Sequence, residues 1–301
     1  MTGWRMAFAS IGILIGGAVI PGLAGSMGYA MAALVVTPLM VGAVWLSLWS
    51  IRKAPRNEMA AQVNLVGMFG LVFTNKAFMV LVVLYGVMTL AIAMITAGLP
   101  FAALYLIVDS GDTMLSGAAT ALTTLSLMFA AFVIGSILSQ VVWVLLSNRL
   151  GKVGALVIGL SLYVVLLYAL NTQLPSVNVT AIAGMFVLAG MTNGAYQQIL
   201  WAMYPDLMDV TRRTSGIAIE GAFSAVWLFG QKLANAAAPA VLGLTLAAAG
   251  WQETTGGVVT QSDGAMAALL NAITLIPAVI LIVAVIGLWV VYRPMAARAL
   301  A

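Results

Sequence analysis

The chain has 301 residues, of which 63% are hydrophobic and only 7% charged, with a net charge of +4. Soluble domains carry about 25% charged residues, so this composition cannot cover a water-facing globule and excludes a soluble protein in favour of one solvated by lipid. Cysteine and histidine are both absent, which excludes disulfides, thiolate or imidazole metal sites and histidine acid–base chemistry.

Glycines, prolines and charges divide the sequence into apolar stretches that predict eight membrane spans. In chain order these are Arg5–Leu23, Ala30–Ile51, Phe78–Val108, Gly117–Leu146, Val153–Leu170, Val177–Met203, Gly216–Ala249 and Met266–Val291. Each reaches or nearly reaches the ~20 residues that cross a bilayer. The stretch Val63–Thr74 is too short to span and reads as an interfacial or buried segment. Charge supports this count. With eight spans, Arg5, Arg52, Lys53, Arg56, Lys76, Arg149, Lys152, Arg212, Arg213, Arg293 and Arg298 fall on one side, and the other side receives only Asp109, Asp112, Glu253 and Asp263. Lys and Arg concentrate in cytoplasmic loops, so both termini are expected in the cytoplasm and the protein in the inner or plasma membrane. No alternating strand pattern suggests a barrel, and nothing in the charge distribution points to nucleic acid.

Enzyme signatures are missing. Gly151-Lys152 lacks the rest of a phosphate-binding loop, and no constellation of nucleophile, base and stabiliser can be assembled. What stands out is polarity inside lipid. Lys232 lies at the centre of the seventh span, roughly 24 Å from either end, too deep to snorkel. A charge there is expected to face a bundle interior or a wet cavity, and intramembrane charges are usually functional. Ser224, Gln231 and Asn235 share its broad helix face, and Glu220 is too far along the helix to pair with it. In the sixth span, Asn193, Gln197 and Trp201 recur every four residues beside Tyr196. Such a stripe can bind a hydroxyl-rich ligand or act as interhelical glue. The following stretch, Tyr204 to Arg213, reads as a loop whose Asp206, Asp209, Arg212 and Arg213 can form exchangeable pairs at a cytoplasmic mouth. Gly12-x-x-x-Gly16 reads as a helix-packing motif.

Two segments resemble the glycoside–pentoside–hexuronide:cation symporters, the melibiose-permease-like branch of the major facilitator superfamily. Trp4-Arg-Met-Ala-Phe-Ala-Ser-Ile-Gly12, leading to Pro21, is similar to the family's fifth helix. Asp206-Leu-Met-Asp209, then Glu220-Gly221, then Gln231-Lys232 is similar to its tenth-to-eleventh-helix segment. The resemblance implies an all-α integral membrane bundle of the major-facilitator type. The eight spans would be helices five to twelve: residues 1–51 the last two helices of the N-terminal bundle, 52–76 the central cytoplasmic loop, and 77–301 the C-terminal six-helix bundle. It implies a sugar or glycoside as substrate, symported with Na⁺ or H⁺ and without other cofactors. Arg5 and Lys232 would contact sugar, while Asp206, Asp209, Arg212, Arg213 and Glu220 would belong to the cytoplasmic gate. Two positions depart from the melibiose-type pattern: Gln197 stands where a Trp is usual, and Val210-Thr211 where Tyr-Gly is usual. The family's first four helices, which hold its cation-binding acids, have no counterpart here, so the resemblance implies a fragment or a mis-assigned start codon. The rival expectations are an eight-span assembly partner without transport, and a drug or lipid carrier of the same superfamily.

Overall fold

The structure, a computed structural model, describes residues 9, 11–53, 65–216, 219–253 and 258–300. Among these residues every regular element is helical, as expected where lipid cannot satisfy open backbone groups. The helices are α1 (Ile11–Met27), α2 (Tyr29–Ile51), α3 (Leu65–Thr74), α4 (Lys76–Tyr105), α5 (Ser116–Leu122), α6 (Thr124–Gln173), α7 (Val179–Ser215), α8 (Glu220–Ala248) and α9 (Asp263–Ala299). Five of them, α2, α4, α6, α7 and α9, are long and apolar enough to cross a membrane. The 29-residue α8 is absent from that set; its polar Gln231, Lys232 and Asn235 lower its hydropathy.

The expected fourth and fifth spans are the two helical arms of α6, which meet at Gly151, where the backbone leaves helical geometry and the chain folds back on itself. Gly151 adopts φ +76°, which only glycine enters cheaply, so the reversal takes a single residue. The two arms clamp α7 between small residues. A Cβ on Gly135 would lie 1.9 Å from the carbonyl oxygen of Val187, one on Gly190 1.7 Å from that of Phe132, and one on Gly159 2.3 Å from Ala195. Such close backbone approach is how helices associate where the hydrophobic effect is weak. α4 packs along α8, with Phe78 against Phe223 and Tyr85 stacked on Trp227.

Contacts define two ends. At one end, Asn75 bonds to Thr211, Lys152 to Asp206 and Arg212 to Glu220. At the other, Val108 bonds to Ser176, Tyr105 packs on Trp251 and Asn171 bonds to Thr274. Arg52 and Arg293 at the first end lie over Trp49 and Trp289, at 5.5 and 4.0 Å, pairings suited to a membrane–water boundary. The acids Asp109, Asp112, Glu253 and Asp263 sit at the second end, away from the Lys and Arg side chains.

Three local expectations are corrected. The stretch from Tyr204 to Arg213 is helical, continuing α7 to Ser215. Pro205 removes one backbone hydrogen bond but does not end the helix. The end comes at Gly216, which takes φ +68° and donates its N–H to the Arg212 carbonyl. Gly12 and Gly16 meet nothing within 4 Å, and the close approach is one residue on, where Gly17 faces the Phe129 ring. The seventh span begins at Glu220 rather than Gly216, which is the cap of α7.

Candidate functional site

The apolar interior is split. One cluster occupies the basic end and includes Phe78, Met88 and Ala91 of α4 and Phe223 and Trp227 of α8. The second occupies the other end and includes Leu99 and Ala102 of α4 and Leu242 and Leu246 of α8. Between them, at mid-height, lies a cavity of about 390 Å³. Its polar wall is Thr89 and Thr96 from α4, Tyr196 and Gln197 from α7, and Gln231 and Asn235 from α8. Ile92, Ala93, Ala97 and Pro239 complete it. Among the described residues, no carboxylate, ammonium or guanidinium lines this space.

Helical spacing explains the convergence. Thr89 and Thr96 are seven residues apart and Gln231 and Asn235 four, so each pair shares a face. The hydrogen bonds set an orientation. Thr89 donates its hydroxyl to the Tyr85 carbonyl at 2.7 Å, so the 2.6 Å contact between Thr89 Oγ1 and the Tyr196 hydroxyl has Tyr196 as donor. The Tyr196 oxygen is left as an acceptor, and the amides of Gln197, Gln231 and Asn235 each offer a carbonyl and an NH₂ group.

Beneath the cavity, towards the basic end, aromatic rings form a pile. Tyr196 stacks on Tyr85 with centroids 5.9 Å apart, Tyr85 on Trp227 at 3.9 Å, and Trp227 on Tyr204 at 5.0 Å. Trp201 meets Trp227 and Tyr204 edge-on. Trp227 and Tyr85 are fully buried. This pile lies between the cavity and the charged end of the bundle.

The candidate residues are thus sorted by the fold. Gln197, Gln231 and Asn235 line one cavity. Lys232 does not line it; its exposed side chain is on the strip of α8 that also exposes Asn235 and Pro239, at the cavity's rim. Asn193 is buried, with its Oδ1 unpartnered among the described residues. Trp201 belongs to the aromatic floor rather than to the cavity wall. Arg5 lies outside the described residues. Of the end-of-helix charges, Asp206 pairs with Lys152 at 2.6 Å and Arg212 with Glu220 at 3.0 Å, so both ion pairs reach across elements instead of forming within the 206–213 stretch. Lys152 also donates to the Ala202 carbonyl at 2.8 Å, tying the α6 turn to α7. Asp209 and Arg213 are exposed and outside these two pairs. Sequence reasoning missed Thr89, Thr96, Trp227 and Lys152. The two threonines were signalled by their seven-residue spacing in an otherwise apolar run, and Trp227 by its place one turn before Gln231.

A profile of the MFS/sugar transport protein family matches residues 1–293. The chain belongs to this family. No curated protein matches it. Membership and the apolar helices make it a multi-pass membrane protein of a transporter family, and the melibiose-permease-like resemblance of its α7–α8 segment is consistent with that placement.

Proposed function

We propose that this chain binds a neutral, hydroxyl-rich solute, a sugar or glycoside, and takes part in moving it across the cell membrane by symport with Na⁺ or H⁺. The observation that carries the reading is the uncharged cavity at mid-height, walled by three amides and three hydroxyls between two apolar clusters. Amides and hydroxyls match the alternating donors and acceptors of a sugar, and 390 Å³ lies in the range of small-molecule sites. Transporter sites of this kind lie near the bilayer midplane. Absence of charge from the wall favours a neutral ligand over an anionic or cationic one, because an unpaired ion in this space would lose its hydration without a partner.

Lys232 sits at the rim and its ammonium cannot face hydrocarbon. In this reading the exposed strip of α8 lines a wet approach, and Lys232 reaches a hydroxyl of the bound solute. Arg5 is proposed to supply a further donor. Tyr196 and its aromatic floor orient the solute and block the way to the charged end. Asp206, Asp209, Arg212, Arg213 and Glu220, with Lys152, form the cytoplasmic gate, whose part-exposed pairs are weak enough to exchange. Residues 77–301 would form the C-terminal bundle, joined through the 52–76 loop to two helices of the N-terminal bundle, with all eight segments spanning the inner or plasma membrane and both termini cytoplasmic.

The test is thermal stabilisation of the purified chain by a panel of neutral mono- and disaccharides, with amphiphilic drugs and lipids as the contrast. At least one neutral sugar should raise Tm, and Gln197→Ala and Asn235→Ala should each weaken its half-effect concentration about tenfold, the loss of one hydrogen bond to the bound solute. Stabilisation by amphiphiles alone would make the chain a carrier of another class, and none by any solute would favour the assembly-partner reading. Counterflow in vesicles under imposed Na⁺ or pH gradients then assigns the coupling ion.

A further inference from the structure

A second recess lies at the basic end, between α3, the start of α4, the end of α7 and the end of α9. Its volume is about 640 Å³. Lys76 and Arg298 both line it, together with Asn75, Thr211, Thr214 and Ser215, and among the described residues its lining contains no carboxylate. It shares no residue with the mid-height cavity. The ion pairs among the described residues are Lys152–Asp206 and Arg212–Glu220, so the two cations of the recess have no acid of their own there.

Two like charges on one recess repel, and an anion between them relieves that cost. The geometry is set in advance. The Asn75 side chain accepts the Phe78 N–H at 3.0 Å and donates to Thr211 Oγ1 at 2.8 Å, which pins the first turn of α4 onto α7. The start of α4, a 30-residue helix, therefore borders the recess with its positive dipole end. Apolar Leu71, Ala77, Val210, Met295 and Ala299 also line it, so the recess combines two cations with a greasy wall. It also lies at the end of the bundle where Lys and Arg collect beside Trp49 and Trp289.

We propose that this recess is a binding site for a phosphate-bearing anion, held by Lys76 and Arg298 at the basic membrane surface. The phosphate is that of an anionic lipid headgroup or of a free phosphate. This assignment is independent of what the mid-height cavity binds.

The experiment is thermal unfolding of the purified chain in detergent at fixed ionic strength, with added phosphatidylglycerol, phosphatidylcholine or inorganic phosphate. Phosphatidylglycerol or inorganic phosphate should raise Tm by several degrees over phosphatidylcholine, and the K76Q/R298Q variant should lose most of that rise. Arg149→Gln, which removes an exposed cation outside the recess, should keep it. A rise with phosphatidylglycerol only identifies a lipid site, and an equal rise with inorganic phosphate identifies a free phosphate site. No rise with either, or equal loss in R149Q, overturns the proposal. Should the double variant not fold, native mass spectrometry of K76Q and R298Q singly provides the same test, each being expected to retain less phosphatidylglycerol than the unmodified chain; unchanged retention overturns the assignment.

Discussion

Substituting Gly190 by Ala tests the crossing that holds α7 in the clamp of α6. A Cβ at that position would lie 1.7 Å from the Phe132 carbonyl oxygen and 2.9 Å from the Ser136 nitrogen. Real Cβ atoms do not approach closer than 3.0 Å, so the two helices must part by about 1.3 Å or bend. The obstacle is backbone, which cannot swing aside as a long side chain can. Overpacking of this kind costs roughly 1–3 kcal/mol, and for a chain of this size each kcal/mol corresponds to about 2–4 °C, so Tm should fall by roughly 2–12 °C. Gly184, on the same helix, meets nothing within 4 Å. Gly184→Ala should instead raise Tm by roughly 2–4 °C, because alanine is favoured over glycine inside a helix by about 1 kcal/mol. The assay is fluorescence-detected unfolding of the two variants side by side in one detergent. Since Gln197 lies two turns from Gly190 on α7, sugar stabilisation should weaken in G190A and persist in G184A. Equal Tm values for the two variants would refute the close crossing and, with it, the packing that positions Gln197.

Three further outcomes are expected. Lys232→Met, at an exposed position, should leave Tm within about 0.5 kcal/mol-equivalent of the unmodified chain while reducing sugar-dependent stabilisation or uptake at least tenfold; unchanged uptake would remove Lys232 from the site. Trp227→Ala removes a fully buried ring from the aromatic floor and should cost about 3–5 kcal/mol; vesicles carrying it should release trapped sugar faster than unmodified vesicles, and equal release would show that the floor is not a barrier. Lys152 and Asp206 are each more than a third exposed, so a double-mutant cycle on Tm should give a coupling below about 1 kcal/mol, while K152A should change the rate of uptake; a coupling of several kcal/mol would mean a structural pair rather than a gate.

The membrane class, the helical fold and the side-by-side segregation of charge followed from the sequence alone, because lipid leaves a chain few options. Apolar runs of a given length must be helices, and Lys and Arg must stay at one surface. The polarity of α8 was legible for the same reason, since Lys232 is conspicuous in a largely apolar stretch. Spacing also announced that Gln231 and Asn235 share a face, as do Gln197 and Trp201. The sequence did not say what each face meets. Only the packing of α4, α7 and α8 separated Gln197, which lines the cavity, from Trp201, which lies one turn along the same stripe in the aromatic floor, and from Asn193, which is buried without a partner for its carbonyl among the described residues. The same holds for charge. Periodicity and local sequence placed two acids and two arginines together near the end of α7, but ion pairs are decided by through-space distance, and the turn at Gly151 brought Lys152 to Asp206 while the cap at Gly216 turned Glu220 back towards Arg212. Local chemistry determined which residues could not face lipid. Tertiary structure decided which of them face one another, because that depends on the rotation and depth of each helix against its neighbours, and in this bundle those are set by glycines whose backbones touch.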